Sequence, residues 1–350
     1  MQYYIIFILL FFSAILEQYI KVKQSHFIYI LFTVVLILFA GTRYDFGRDY
    51  FVYKDAFYNL NFQNYSEYLF EPLFAGLCVL LRPLGFNFFI FFMTSVSIIY
   101  KTVYIKRKSS YSNFSLLIYY SLFIILYEMG QMRQALAMVL VLSAFNDCIE
   151  RNKKGFYIKT FIAFGLHYSS LIILPCYWLV GLDISLKKIY FITIGILSFA
   201  FVDISQVLID LSSLVSINHI ALKVLDYSSK GMRIGINMSL LLRIFILFIF
   251  IWLIHKNDES NIAHKKLAIL YFYGIFLYVI FNSAPEIAMR SAAFFKILEI
   301  FIHPILLSFF IKKNNRILII LFVSAYLIWT ISNLFADHTD AFLPYKSFLL

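Results

Sequence analysis

Apolar runs of about 20 residues recur from the beginning of this chain to its end, each long enough to cross a bilayer as an α-helix. Backbone N–H and C=O groups have no water partners in lipid, so a helix satisfies them internally, and the alternating pattern of a strand is absent. The chain is 62% hydrophobic and 14% charged, whereas soluble domains carry about 25% charged residues. We therefore predict an all-α polytopic integral membrane protein.

The length and spacing of the runs predict about ten to twelve membrane segments, broken or re-entrant helices included, in a single transmembrane domain over residues 1–350. No hydrophilic gap is long enough to build a soluble core. A net charge of +11 would suggest nucleic acid in a soluble protein. In a membrane protein the enrichment of Lys and Arg in cytoplasmic loops explains it, so no nucleic-acid partner is expected.

Basic clusters punctuate the runs and predict which loops face the cytoplasm. The clusters are Lys21 and Lys23; Lys101, Lys106, Arg107 and Lys108; Arg151, Lys153 and Lys154; Lys187 and Lys188; Lys256, Lys265 and Lys266; and Lys312, Lys313 and Arg316. The opposite, outer side then carries the loop 42–69 and the segment 203–235. Within that segment, residues 203–226 have the amphipathic pattern of a helix lying in the membrane interface.

Two stretches fit this topology only if a helix is incomplete. Residues 156–181 lie between basic clusters and are too short for two spans, which predicts a break at His167-Tyr168-Ser169 with Ser169 or Ser170 capping the second half-helix. Residues 70–105 predict two helices, 70–82 and 87–105, of which one fails to span. The sequence leaves open which of them it is.

Charged residues gather where the apolar runs begin or end, and ionisable residues in such places are candidates for function. A helix N-terminus with an added Arg suits a phosphate group. The predicted topology places the following residues in the outer half: Arg43, Asp45, Asp49, Arg133, His167 and Arg290. We expect one outward-facing cavity lined by these side chains.

Structural roles are the alternative for the same residues. The candidate ion pairs are Arg43 and Arg48 with Asp45, Asp49 and Asp55; Arg133 with Glu128; and Arg290 with Glu286. His167 would be a core histidine, and the Glu71 carboxylate would favour the dipole of the helix that it begins. Two carboxylates at i,i+4, Asp45 and Asp49, are weak grounds for a metal, so no cofactor is predicted and a role for a divalent ion is left open.

Tyrosines accompany the charges of the loop 42–69, at positions Tyr44, Tyr50, Tyr53 and Tyr58. Aromatic faces stack on the C–H surfaces of sugars, and Asp and Arg bind sugar hydroxyls. This combination suits a saccharide ligand.

The order of these elements resembles the EpsG family of bacterial polysaccharide polymerases, which are relatives of the Wzy-type O-antigen polymerases. The matching residues are Arg43-Tyr44; Gly47-Arg48-Asp49-Tyr50 with Tyr53; Glu71 to Phe74; Arg133, Gln134 and Ala137; His167, Tyr168 and Ser169; Arg290; and Pro344-Tyr345. Arg48 departs from the pattern, because a small residue usually stands between the Gly and the Asp.

The resemblance implies a GT-C-like glycosyltransferase, multi-pass in the bacterial cytoplasmic (inner) membrane and acting at its outer face. Such an enzyme joins oligosaccharide repeat units carried on a polyprenyl diphosphate into exopolysaccharide, capsule or O-antigen. Its expected partners are the lipid bilayer, this lipid-linked oligosaccharide, a chain-length regulator and a flippase.

The resemblance also divides the candidate residues by role. The expected catalytic base is His167, with Asp49 and Glu71 as further candidates. The diphosphate is expected to bind Arg133, Arg290 and Arg43. The sugars are expected to contact Asp45, Tyr50, Tyr53, Gln134 and Ser169.

Three other functions remain open at the level of sequence. A transporter, or flippase, of lipid-linked oligosaccharide would also use broken helices and charges near the midplane, although no inverted repeat is detectable. A membrane acyltransferase modifying the polysaccharide would need a His within reach of a cytoplasmic donor. A non-catalytic partner that sets polymer length would not depend on Arg133 or His167.

Overall fold

The computed structural model describes residues 1–61, 63–64, 68, 70–182, 184–202, 210, 234–257 and 261–349. The α-helices are α1 (Gln2–Leu16), α2 (Val22–Gly41), α3 (Tyr50–Asn59), α4 (Pro72–Leu81), α5 (Phe86–Lys108), α6 (Ser112–Tyr119), α7 (Met132–Glu150), α8 (Lys153–Leu166), α9 (Cys176–Leu179), α10 (Leu186–Ile196), α11 (Met238–Asn257), α12 (Ile262–Ile280), α13 (Pro285–Lys296), α14 (Glu299–Ser308), α15 (Lys313–Asp337) and α16 (Thr339–Phe342). A π-helix spans Tyr120–Glu128, and 3₁₀-helices span Arg82–Leu84, Tyr168–Ile173 and Leu197–Phe201.

Within the described ranges, six helices are long and apolar enough to cross a membrane, and a seventh span results if α13 and α14 count as one. The six are α2, α5, α7, α11, α12 and α15. This confirms an all-α polytopic membrane protein. Shorter apolar helical stretches cover Gln2–Leu16, Pro72–Leu84, Ser112–Glu128 and Tyr168–Leu179. The predicted number of about ten to twelve membrane segments is reached only if these shorter helices also enter the membrane. That number therefore stays a prediction.

The chain divides into two compact units. The first comprises Met1–Leu140, Ile162–Tyr168 and Glu299–Leu350, and the second comprises Val141–Phe161 and Ser169–Leu298.

In the first unit, the predicted turn between 70–82 and 87–105 is present. It consists of the 3₁₀-helix Arg82–Leu84 followed by Gly85 at φ 83°, a left-handed conformation that suits glycine. The helix after the turn, α5, is a candidate span, whereas α4 is too short to be one by itself. The Arg82 Nε donates to the Phe57 carbonyl (2.7 Å), which ties the turn to the end of α3.

One end of the helices of the first unit is basic. Lys313, at the start of α15, lies over the ring of Tyr19 (5.2 Å from Nζ to the ring centroid), and Arg316 lies over the ring of Tyr111 (5.4 Å from Cζ). The cluster 106–108 ends α5. The prediction that Lys101 belongs to the same cytoplasmic cluster is wrong, because its side chain is fully buried in a membrane-spanning helix, where it forms an ion pair.

The other ends of α2 and α15 are joined through the segment that follows α16. Arg43 and Ser347 form an antiparallel bridge. The ring of Tyr345 stacks on that of Phe39 at a centroid distance of 4.6 Å, and its hydroxyl donates to the Phe39 carbonyl (3.0 Å). Tyr345 of the Pro344-Tyr345 pair therefore packs against the end of α2, just before the loop that begins at Arg43.

The predicted break near His167 is present. Helix α8 ends at Leu166, the His167 N–H closes its last turn on the Ala163 carbonyl (2.8 Å), and a 3₁₀-helix begins at Tyr168. The predicted serine cap is wrong. In the part of the chain that the structure describes, the hydroxyls of Ser169 and Ser170 have no hydrogen-bond partner.

In the second unit, α12 and α13 approach each other closely because of Gly274. A Cβ atom at this position would lie 2.2 Å from the Phe295 Cβ. Helices α10 and α11 are joined by the Tyr190 hydroxyl, which donates to the Phe248 carbonyl (2.8 Å). The predicted amphipathic helix, 203–226, lies outside the described residues apart from Asp210.

We predict that Gly274→Ala destabilises the protein by about 1–3 kcal/mol, because the added methyl group forces Phe295 or the helix backbone to move. Gly195→Ala is the matched control, since Gly195 is also helical and a Cβ atom added there would meet nothing within 4 Å. The measurement is thermal unfolding of both variants in detergent. Equal melting temperatures would contradict the close approach of α12 and α13.

Candidate active site

The Glu71 carboxylate lies at the centre of a buried polar cluster in the first unit. Its Oε2 accepts a hydrogen bond from Arg133 Nη1 (2.7 Å), while Oε1 contacts His167 Nδ1 (3.1 Å) and accepts from the Tyr168 backbone N–H (3.2 Å). Only 1% of the Glu71 side chain is exposed. One carboxylate therefore joins the start of α4, the first turn of α7 and the break after α8.

The interpretation of Glu71 as a residue that favours the helix dipole does not account for these contacts. Glu71 is the N-cap residue of α4, but its side chain makes no capping hydrogen bond. The carboxylate instead binds partners that lie 62 and 96 positions away in the chain.

Aromatic rings surround the Arg133 guanidinium. Its Cζ lies 4.4 Å from the centroid of the Phe70 ring and 5.9 Å from those of Tyr53 and Phe74. A guanidinium close to ring faces is stabilised by the ring quadrupole, more strongly where water is excluded. The Arg133 side chain keeps 13% exposure, and its buried Nε has no hydrogen-bond partner among the described residues. The cation is thus held in place by Glu71 and the surrounding rings.

The loop that precedes α3 is closely packed against the turn that precedes Arg133. Gly47 has φ 120°, which only glycine adopts readily, and a Cβ at this position would lie 2.6 Å from the Met129 carbonyl oxygen. This explains in physical terms the glycine of the Gly-x-Asp element.

Asp49 is linked to the cluster through Tyr53. The Tyr53 hydroxyl donates to Asp49 Oδ2 (3.2 Å), and its ring is one of those around Arg133. Burial raises the pKa of Tyr53, and the Asp49 charge raises it further, so the phenol stays protonated and remains a donor. The predicted sugar-binding residue Tyr50 is buried and packs edge-on against Phe86 (5.2 Å).

Arg43 is buried and is bound by protein groups. Its Nη1 donates to the Ala40 carbonyl (2.9 Å) and to Thr94 Oγ1 (2.9 Å), and its Nη2 lies 3.9 Å from Met132 Sδ. Burial lowers the pKa of Arg43 to about 10, which leaves it charged at neutral pH. Arg43 does not pair with Asp45, because its guanidinium points towards the helices. Asp45 adopts a left-handed turn conformation (φ 57°).

The two other candidate ion pairs have different outcomes. The predicted pair of Arg133 with Glu128 is wrong, because Glu128 binds Lys101 and Arg133 binds Glu71. The pair of Arg290 with Glu286 is present in the second unit (3.0 Å).

The structure brings together Glu71, Arg133 and His167, with Tyr53 and Asp49 adjoining them. Gln134, a predicted sugar-binding residue, follows Arg133 in the sequence, and its side chain is buried. Arg290 and Ser169 belong to the second unit, and the single cavity expected to contain the candidate residues stays a prediction. Over the described residues, no group of three or more His, Cys, Asp and Glu side chains is placed to hold a metal ion.

Sequence reasoning missed Phe70 and Phe74 as neighbours of Arg133, and it missed the Tyr168 N–H as a donor to Glu71. A signal for the rings was available, since Phe70 and Phe74 flank Glu71 in the sequence. No local pattern indicated that a backbone amide would be exposed by the helix break.

These features define a helical membrane protein with a buried His–carboxylate–Arg cluster at the end of a broken helix. A comparison with protein families matches residues 26–347 to the EpsG family, and the chain belongs to this family, a Wzy-like family of polysaccharide polymerases. The resemblance drawn from the motifs is thereby confirmed. Comparisons with curated proteins and with solved structures find no significant match.

We predict that Glu71→Ala destabilises the protein by about 3–5 kcal/mol, because it leaves the Arg133 charge buried without its carboxylate. Glu286→Ala is the control. It breaks the Glu286–Arg290 pair, whose side chains are 21% and 22% exposed, and should cost about 0–1 kcal/mol. Thermal unfolding in detergent measures both. Equal losses would argue against a buried pair at Glu71.

Proposed function

We propose that this protein is a glycosyltransferase that polymerises oligosaccharide repeat units carried on a polyprenyl diphosphate, at the outer face of the bacterial cytoplasmic membrane. Family membership supports polysaccharide polymerisation in general. The observation that carries the specific proposal is the Glu71 carboxylate bound to both Arg133 and His167. This arrangement places a cation, Arg133, that can bind a diphosphate beside an oriented base, His167, that can deprotonate a hydroxyl group.

The position of the cluster supports an outward-facing site. Basic residues mark one end of the first unit, including 106–108 at the end of α5. The start of α5 lies at the opposite end, where Phe86 packs against Phe57 of α3 (5.5 Å between ring centroids), and Tyr53 of the same helix contacts Arg133. Because basic ends face the cytoplasm, this arrangement supports a position of the cluster towards the outer side.

His167 is the proposed general base. A carboxylate that accepts from Arg133 is ionised and can only accept, so His167 Nδ1 is the donor in its contact with Glu71. The lone pair of the neutral ring is then on Nε2, where it can take the proton of an acceptor hydroxyl. Glu71, whose two oxygens already accept bonds, orients His167 and is less suited to be the base itself.

Arg133 is the proposed partner of the diphosphate. The acceptor oxygen bonds to the anomeric carbon of the donor glycan, the bond from that carbon to the diphosphate oxygen breaks, and the polyprenyl diphosphate leaves with the electron pair. The charge that develops on the leaving group would be stabilised by the preorganised guanidinium. Its Nε is buried and available for such a bond among the described residues.

The rings around Arg133 and the neighbouring Asp49 suit the sugars of the substrate. Tyr53 and Phe70 offer aromatic faces, and Asp49 offers a carboxylate that accepts from hydroxyl groups. Asp45, Tyr50, Gln134 and Ser169 remain proposed contacts to the glycan, and Arg43 and Arg290 remain proposed contacts to the diphosphate. A chain-length regulator and a flippase are the proposed protein partners.

We predict that purified protein in nanodiscs converts polyprenyl-diphosphate-linked repeat units into a ladder of longer glycans. Arg133→Ala and His167→Ala should each lower the rate by at least about 100-fold, because they remove charge stabilisation and the base. Gel electrophoresis of the products measures this.

Arg107→Ala and His26→Ala are matched controls, since both side chains are exposed in the first unit. They should retain the wild-type rate. A wild-type protein that gives no ladder but moves the lipid-linked substrate across a vesicle membrane would be a transporter. Ladders of normal length from both site variants would exclude the proposed roles of Arg133 and His167.

A further inference from the structure

A second buried ion pair lies beside the turn that precedes Arg133. Lys101 Nζ donates to Glu128 Oε1 (2.5 Å), to Ser97 Oγ (3.0 Å) and to the Ala135 backbone carbonyl (2.8 Å). An ammonium group has three N–H donors, so each of them has an acceptor. The Lys101 and Glu128 side chains are both 0% exposed.

The acceptors of Lys101 lie on both sides of one short turn. Glu128 is the last residue of the π-helix, and Met132 begins α7. Ala135 lies in the first turn of α7, two positions after Arg133. A single ammonium group, carried by α5, therefore binds the chain before and after the turn that presents Arg133.

Stability alone does not require this arrangement. Desolvating two charges is costly, and a well-packed apolar pair of similar volume is often as stable as a buried ion pair. An apolar side chain at position 101, however, would leave among the described residues only the Ser97 hydroxyl, 3.4 Å from the Ala135 carbonyl and 3.1 Å from Glu128 Oε1, to bind the two sides of the turn. The Lys101–Glu128 ion pair therefore differs from an apolar pair chiefly because it fixes the position of the start of α7.

We propose that Lys101 is a positioning residue, which through Glu128 and the Ala135 carbonyl holds the first turn of α7 so that Arg133 reaches both Glu71 and the substrate. The catalytic consequence of this inference rests on the proposed function of Arg133. The position of the α7 turn itself can be measured without any activity.

The first test is amide hydrogen exchange of the protein in nanodiscs. In Lys101→Met we expect the amides of 132–137 to exchange about tenfold faster, because the turn loses its anchor, while α2 and α15 keep wild-type rates. Arg107→Met, an exposed basic residue of the same helix, is the control and should change nothing. Unchanged exchange at 132–137 would overturn the proposal.

The double variant Lys101→Met with Glu128→Leu removes both charges. It is a control for misfolding, because no buried charge is left without its partner. We expect its melting temperature to be close to that of the wild type, with exchange at 132–137 still fast and turnover still reduced about 10–100-fold. A double variant with wild-type turnover and wild-type exchange would show that the ion pair only stabilises the fold, which would overturn the proposal.

The third test asks whether Lys101 acts through Arg133. If it does, Lys101→Met should lower the turnover of the wild type but cause no further loss in an Arg133→Ala background. Independent losses that multiply would refute action through Arg133. If the wild-type protein itself makes no ladder, the proposed function fails, and the exchange experiment alone decides the role of Lys101.

Discussion

Buried charge in a membrane-embedded chain is tolerated only where a partner of opposite sign or hydrogen-bond acceptors compensate it. In the first unit, the Glu71 carboxylate satisfies this constraint for Arg133 and also binds His167. The three side chains come from the start of α4, the start of α7 and the end of α8. The mutual position of these three helix ends is therefore set by one carboxylate, and the other features of the site are arranged around it.

The groups around Arg133 hold its guanidinium in one orientation. Three aromatic rings lie within 6 Å of the guanidinium, Glu71 binds its Nη1, and 13% of the Arg133 side chain stays exposed. Gly47 allows the preceding loop to touch the backbone of the turn before α7. The fully enclosed pair of Lys101 and Glu128 obeys the same rule of compensation, but it is sealed from solvent.

Much of this architecture could be predicted from local sequence. Apolar run length predicted the helical membrane fold and the turn between 70–82 and 87–105, and run length with the flanking basic clusters predicted the break at His167, because each depends on residues close together in the chain. Two of the errors concern charged residues: Glu128 was considered as the partner of Arg133, and Lys101 was predicted to lie in a cytoplasmic cluster. Both errors follow from choosing the nearest charge in sequence, whereas a buried charge takes the partner that tertiary packing places beside it.

The amino-acid sequence by itself determined the class of the protein and its family, since hydrophobic length requires membrane helices and the ordered motifs carry the family pattern. Only the tertiary structure decided that Glu71 joins Arg133 and His167, which lie 62 and 96 positions away from it. The physical reason is that periodicity reports which face of a helix is apolar. It does not report which helices become neighbours, and the pairing of buried charges depends on that.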